Sequence, residues 1–132
     1  MTTSSSDRSV AQPCRVERTV SELRSDMAAA LAGLRDLQSC ALDLYGRLEV
    51  DRALNWTLEE LGELARAVRL GEGCARLEEE LGQVAAWTLC LANILDLDLA
   101  AAVDAAMDEE IGRQVGKYSR LKPYRPGGHS DD

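Results

Sequence analysis

The sequence predicts an all-α protein, a bundle of antiparallel helices. Three observations carry this. Aromatic residues are only 4% of the chain and Phe is absent, while apolar residues reach 45%, so the core has to be built from Leu, Ala and Val. Those residues suit packed helices better than a sheet. No proline occurs between Pro13 and Pro123, and over that span apolar residues recur at steps of three and four.

Taken in order, the segment 1–15 is rich in Ser and Thr, contains Pro13, and reads as a flexible leader. A long first helix is expected from Val16 to Leu48, with the stripe Val20, Leu23, Met27, Leu31, Leu34, Leu37, Ala41, Leu44 and Leu48. At about 1.5 Å per residue such a helix spans roughly 50 Å. That exceeds one small domain, so part of the stripe is expected to pack on another subunit. A second helix is expected over 52–70, closed by Gly71-Glu72-Gly73. A third runs over 75–95, and a fourth from Leu99 to Tyr118 with Asp98 as its N-cap. Loops this short make consecutive helices antiparallel. Pro123, Pro126, Gly127 and Gly128 mark 121–132 as a flexible tail, leaving 16–120 as one helical domain.

Charge and cysteine usage narrow the function. The net charge is −8, which disfavours non-specific nucleic-acid binding and attachment to anionic membranes. The four cysteines, Cys14, Cys40, Cys74 and Cys90, form no C-x-x-C pair, and the one histidine is His129, so structural zinc is not expected. The most apolar stretch, 84–103, contains Asn93, Asp96 and Asp98, unlike a membrane span. The first nine residues lack the apolar segment of a secretory signal. A cytoplasmic location with reduced thiols is expected.

Two acidic clusters carry the chemistry: Glu59-Glu60-Leu61-Gly62-Glu63 and Glu78-Glu79-Glu80-Leu81-Gly82-Gln83. Carboxylates three apart share a helix face, and two antiparallel helices can aim such pairs at each other. A cage of oxygens of this kind suits Mg²⁺ and a polyphosphate. On a helical wheel Glu80 lies within about 40° of Val84, Trp87 and Leu91, near the middle of the apolar face. Burial of an unpaired carboxylate is costly, so Glu80 requires a cation or donors. Glu60 falls at the border of the apolar stripe and Glu59 on the exposed flank. The rival reading, solvated glutamates beside Arg66 and Arg76, fits Glu59, Glu78 and Glu79 as well as the functional one does, and Glu60, Glu63 and Glu80 less well.

The stretch from Leu37 to Val103 resembles the MazG-like, all-α nucleoside triphosphate pyrophosphohydrolases. Their signature is E-x-x-E, a loop, then E-x-x-D. Here it stands as Glu60-Leu61-Gly62-Glu63 and Glu80-Leu81-Gly82-Gln83. The resemblance implies a homodimer, or a tetramer of two dimers, whose subunits complete one helical bundle. It implies Mg²⁺, with Mn²⁺ as an alternative, and cleavage of an NTP or dNTP to the monophosphate and pyrophosphate. It also implies a house-cleaning role in the nucleotide pool. Carried over, Glu60, Glu63 and Glu80 match metal ligands, with Gln83 in the fourth ligand position. Glu59 matches the auxiliary glutamate that orients the attacking water, and Glu63 is carried as catalytic as well as metal-binding.

Gln83 departs from the signature. Its amide oxygen can ligate Mg²⁺ but brings no charge and accepts no proton. A fourth helix running back past this level would let Asp108 or Glu110 supply the missing carboxylate. Candidate substrate contacts are Trp87, through stacking on a base, and Lys117 and Arg120 in the basic run near the end of the last helix. For Trp87 a core role is the stronger reading, and for the basic run a helix-end role. No P-loop and no Ser-His-Asp set occurs. Two alternatives stand beside the Mg²⁺-dependent hydrolase: a catalytically degenerate nucleotide or metal binder, and a non-enzymatic helical dimerisation or adaptor module.

Overall fold

The computed structural model describes residues 17–127 and has four helices, α1 (Val20–Tyr45), α2 (Val50–Arg69), α3 (Cys74–Ile94) and α4 (Leu99–Tyr118), with no strand among the described residues. The leader at 1–15, Cys14 and His129 lie outside the described residues.

Local chemistry explains each boundary. Thr19 and Glu22 form a capping box, so α1 begins at Val20 rather than at Val16. The helix stops at Tyr45, three residues short of the expected Leu48, because Gly46 adopts φ 65° and donates its N–H to the Leu42 carbonyl. After α2, Gly71 takes φ 64°. Its N–H reaches the Val68 carbonyl and that of Glu72 the Ala67 carbonyl, closing the last turn. The same pattern ends α3 with a non-glycine residue: Asp96 takes φ 52°, and Leu97 N–H reaches the Ala92 carbonyl at 2.9 Å. Asp98 caps α4 as expected, accepting from the Ala101 N–H at 3.3 Å.

α2 and α3 form an antiparallel hairpin, and Trp56 of α2, Trp87 of α3 and Tyr45 of α1 meet at one end of it. The expectation of antiparallel neighbours fails between α3 and α4. The chain turns by 110° there, and α4 packs along α1 instead of returning past α3. α1 therefore bridges two parts of the molecule: its C-terminal half lies on α3 and its N-terminal half on α4.

A polar joint fixes this corner. Gln38 of α1 donates to the Asn93 side-chain oxygen at 3.1 Å and to the Leu97 carbonyl at 2.8 Å, and accepts from Leu99 N–H at 2.9 Å. Asn93, 8% exposed, returns a bond to the Gln38 carbonyl at 3.0 Å. Ion pairs Arg35–Asp98 at 2.8 Å and Arg47–Asp96 at 2.9 Å flank the joint. The joint also corrects the expected α1 stripe. Beyond Leu34 the inward face continues through Gln38 and Ala41 to Tyr45, which is 44% exposed but turns its ring towards Trp87, while Leu37 and Leu44 turn outward at 54% and 74% exposed. Positions 37 and 44 lie about 100° away from 38 and 45 on the wheel, far enough to leave the contact.

The segment after α4 is tied to it through Tyr124. The buried Gln114 side chain accepts from Lys122 N–H at 2.7 Å. The Tyr124 hydroxyl donates to Glu110 at 3.4 Å and accepts from Arg113 at 3.1 Å. No single helix among the described residues is long and apolar enough to cross a membrane.

Candidate active site on the α2–α3 hairpin

The hairpin brings the two acidic clusters together from adjoining helices. Glu80 is buried, 4% exposed, as its place on the apolar face of α3 requires. Glu60 is half-buried on α2, whereas Glu59, Glu63 and Gln83 are exposed. Burial pushes the Glu80 carboxyl above the ordinary carboxylate range; the neighbouring Glu60 carboxyl pushes it further, and the Arg76 charge opposes both. The Oε2 atom of Glu80 is buried without a hydrogen-bond partner. A buried acceptor left in this state needs a proton on one of the two carboxyls or a cation between them.

The other oxygen of Glu80 is occupied. Arg76, one turn earlier on α3, places Nη2 2.8 Å from Glu80 Oε1. The same guanidinium lies 3.2 Å from Glu79, 3.5 Å from Glu72 and 3.7 Å from Glu63. Its own pKa is raised, chiefly by Glu80. The sequence offered Arg76 as a solvated partner only; its signal is the spacing of four before a buried Glu, the helical ion-pair register. No three His, Cys, Asp or Glu side chains among the described residues converge closely enough to hold a metal ion. The donor set of Glu60, Glu63, Glu80 and Gln83 nevertheless consists wholly of oxygen ligands of the type that hard divalent cations take, and the orphaned Glu80 oxygen gives one of them an unmet need.

The remaining candidates are dispersed. Trp87 contacts Trp56 at a centroid separation of 5.0 Å and Tyr45 at 6.2 Å, an aromatic cluster that joins three helices. Lys117 and Arg120 lie at the end of α4, where Arg120 lines a cavity with Val20 and Leu23 from the start of α1. The 26 residues of α1 place that end roughly 40 Å from Tyr45 at the standard rise, so one protomer does not bring these two cations to its own acidic cluster. The suggested rescue of Gln83 fails within the protomer for the same reason. Asp108 pairs with Arg24 at 2.9 Å, and Glu110 is held by Arg113 at 2.7 Å, both on the α1–α4 side.

Comparison with known proteins places both acidic clusters inside one family match. The family model for the MazG nucleotide pyrophosphohydrolase domain matches residues 49–116, which contain α2, α3 and most of α4. An uncharacterized protein of Bacillus subtilis (strain 168), YpjD, is 41% identical over 71 residues, covering 47% of this chain and 64% of that relative, so the chain matches less than two thirds of the relative's length. No solved structure matches the chain. With half of its length matched and both acidic segments inside the match, this chain belongs to the MazG family of all-α nucleotide pyrophosphohydrolase domains.

Proposed function

We propose that this protein hydrolyses a nucleoside triphosphate, NTP or dNTP, to the monophosphate and pyrophosphate with Mg²⁺ or Mn²⁺. The observation that carries the proposal is Glu80: a carboxylate buried in an interhelical face, one oxygen unpartnered, beside Glu60, in a chain of this family. Glu60, Glu63 and Glu80 would hold the metal by charge, with the Gln83 amide oxygen as a neutral fourth ligand. When bound, the ion neutralises the phosphates and lowers the pKa of water near it. Glu59, exposed on the outer flank of α2, would orient the water and take its proton. The water oxygen then bonds to the α-phosphorus, the α–β bridge breaks, and pyrophosphate leaves with the bond's electrons.

A second copy of the chain is part of the proposal. The core is thin and rich in small residues (Ala41, Ala53, Ala67, Ala92 and Ala100), while α2 presents a second apolar stripe, Leu54, Leu58, Leu61 and Val68, to solvent. Apolar stripes of this extent mark interfaces. A symmetric dimer would cover the stripe, and a partner's α4 could bring Lys117 and Arg120 towards the phosphates.

Gln83 supports one other reading, a degenerate binder that holds nucleotide without turnover. Pyrophosphate release from a panel of NTPs and dNTPs with Mg²⁺ or Mn²⁺ separates the two. The hydrolase reading expects release that falls at least 100-fold in Glu80→Ala and changes sharply in Gln83→Asp. Thermal stabilisation by metal plus nucleotide with no product would establish the binder instead.

A further inference from the structure

Arg76 reaches carboxylates on both helices of the hairpin. It touches Glu63 of α2 and Glu80 of α3, two of the proposed metal ligands, and it also touches Glu72 and Glu79, which are not. Its tightest bond is to the one oxygen of buried Glu80 that has a partner; the other oxygen has none. The Arg76 side chain is itself 43% exposed, so it can move out without unpacking the helices. A guanidinium and a divalent ion repel, and neither can use the Glu80 and Glu63 oxygens fully while the other does. Glu72 and Glu79 flank Arg76 at i−4 and i+3 on the same side of the hairpin. They offer the displaced guanidinium a place to stay.

We infer that Arg76 is a resident counter-cation of the acidic cluster, which holds Glu63 and Glu80 together when no metal is there and must release both before a divalent cation engages. The inference rests on the metal-binding reading above and adds the residue that sets occupancy. Arg76 thus lowers the site's affinity and makes metal entry a cation exchange rather than simple filling. Glu72 and Glu79 favour entry by receiving the displaced side chain.

The test is calorimetric titration of the 132-residue chain with Mn²⁺ alone, which needs no turnover. Arg76→Gln is expected to bind Mn²⁺ at least tenfold more tightly than wild type. Arg66→Gln removes the same charge from α2, at a residue with no bond to Glu80, and is expected to change affinity less than twofold. The double variant Glu72→Gln/Glu79→Gln is expected to weaken binding severalfold. Arg76→Lys keeps the charge but loses the planar fork, and is expected to tighten binding by less than Arg76→Gln; it serves as the readout if Arg76→Gln does not fold. Equal or weaker binding by Arg76→Gln, or an equal gain from Arg66→Gln, overturns the role of Arg76 and leaves the metal site standing. Absence of Mn²⁺ binding in both wild type and Arg76→Gln overturns the metal site, and the inference falls with it.

Discussion

Replacing Gln38 with alanine should loosen the corner that fixes α1 against α3 and α4. The side chain makes three hydrogen bonds, to Asn93, to the Leu97 carbonyl and from Leu99 N–H. A net bond contributes about 1 kcal/mol, and an abandoned buried partner adds its own desolvation cost. Asn93 is buried and loses the donor to its side-chain oxygen, whereas the Leu97 carbonyl can turn to water. The loss is therefore about 2–3 kcal/mol, a large share of the ~5–15 kcal/mol that a domain possesses. At about 4 °C per kcal/mol for a chain of this size, the melting temperature should fall by about 10 °C. Equilibrium urea unfolding at fixed protein concentration measures the change, with the denaturant slope as a check on two-state behaviour. A double-mutant cycle with Asn93→Ala should show coupling of at least about 1 kcal/mol, since the two side chains share one network. A loss below about 0.5 kcal/mol in Gln38→Ala, or purely additive effects, would refute the claim that this joint holds the corner.

Two further outcomes follow from the same physical reasoning. Leu58 is 66% exposed in the protomer, so truncation to alanine should forfeit about 1 kcal/mol per copy at an interface, about 2 per symmetric dimer, and weaken dimerisation about 30-fold. Sedimentation over a dilution series reads this directly, and a wild type that is monomeric at tens of micromolar would remove the dimer from the account. Glu110 is held down to about 2, first by the Arg113 hydrogen bonds and then by Gln114. A lowered carboxyl binds its proton less readily in the folded state, so its stabilisation is full above the ordinary value and lost as pH falls towards 2. Glu110→Gln should consequently flatten the fall in melting temperature between about pH 5 and pH 2.5; parallel curves for the two proteins would count against the Glu110–Arg113–Tyr124 anchor.

What the sequence disclosed was mostly local. Helix α4 was legible to the residue because its N-cap, Asp98, and its apolar period are written in adjacent positions. The burial of Glu80 was legible from the wheel, since Val84, Trp87 and Leu91 define the face on which it falls. Tertiary facts were not legible. The 110° turn after α3 depends on Asp96 adopting a left-handed conformation and on Gln38 reaching across from α1. No local pattern announces either, so Asp108 and Glu110 were expected near the acidic cluster and lie elsewhere. Leu37 looked like the inward residue only because Gln38, the true inward residue, is polar. Arg76 was visible as a charge, but its position between two helices requires the hairpin to be closed.

The central claim is that the Glu60–Glu63–Glu80–Gln83 end of the hairpin takes a divalent ion. The most direct measurement is anomalous diffraction from crystals of the full chain soaked in Mn²⁺. The account predicts a peak within coordination distance of carboxylate oxygens from both α2 and α3, Glu80 among them, with the Arg76 guanidinium withdrawn from Glu80. An ion found only elsewhere, or none at saturating Mn²⁺ with the Arg76–Glu80 pair intact, would contradict it.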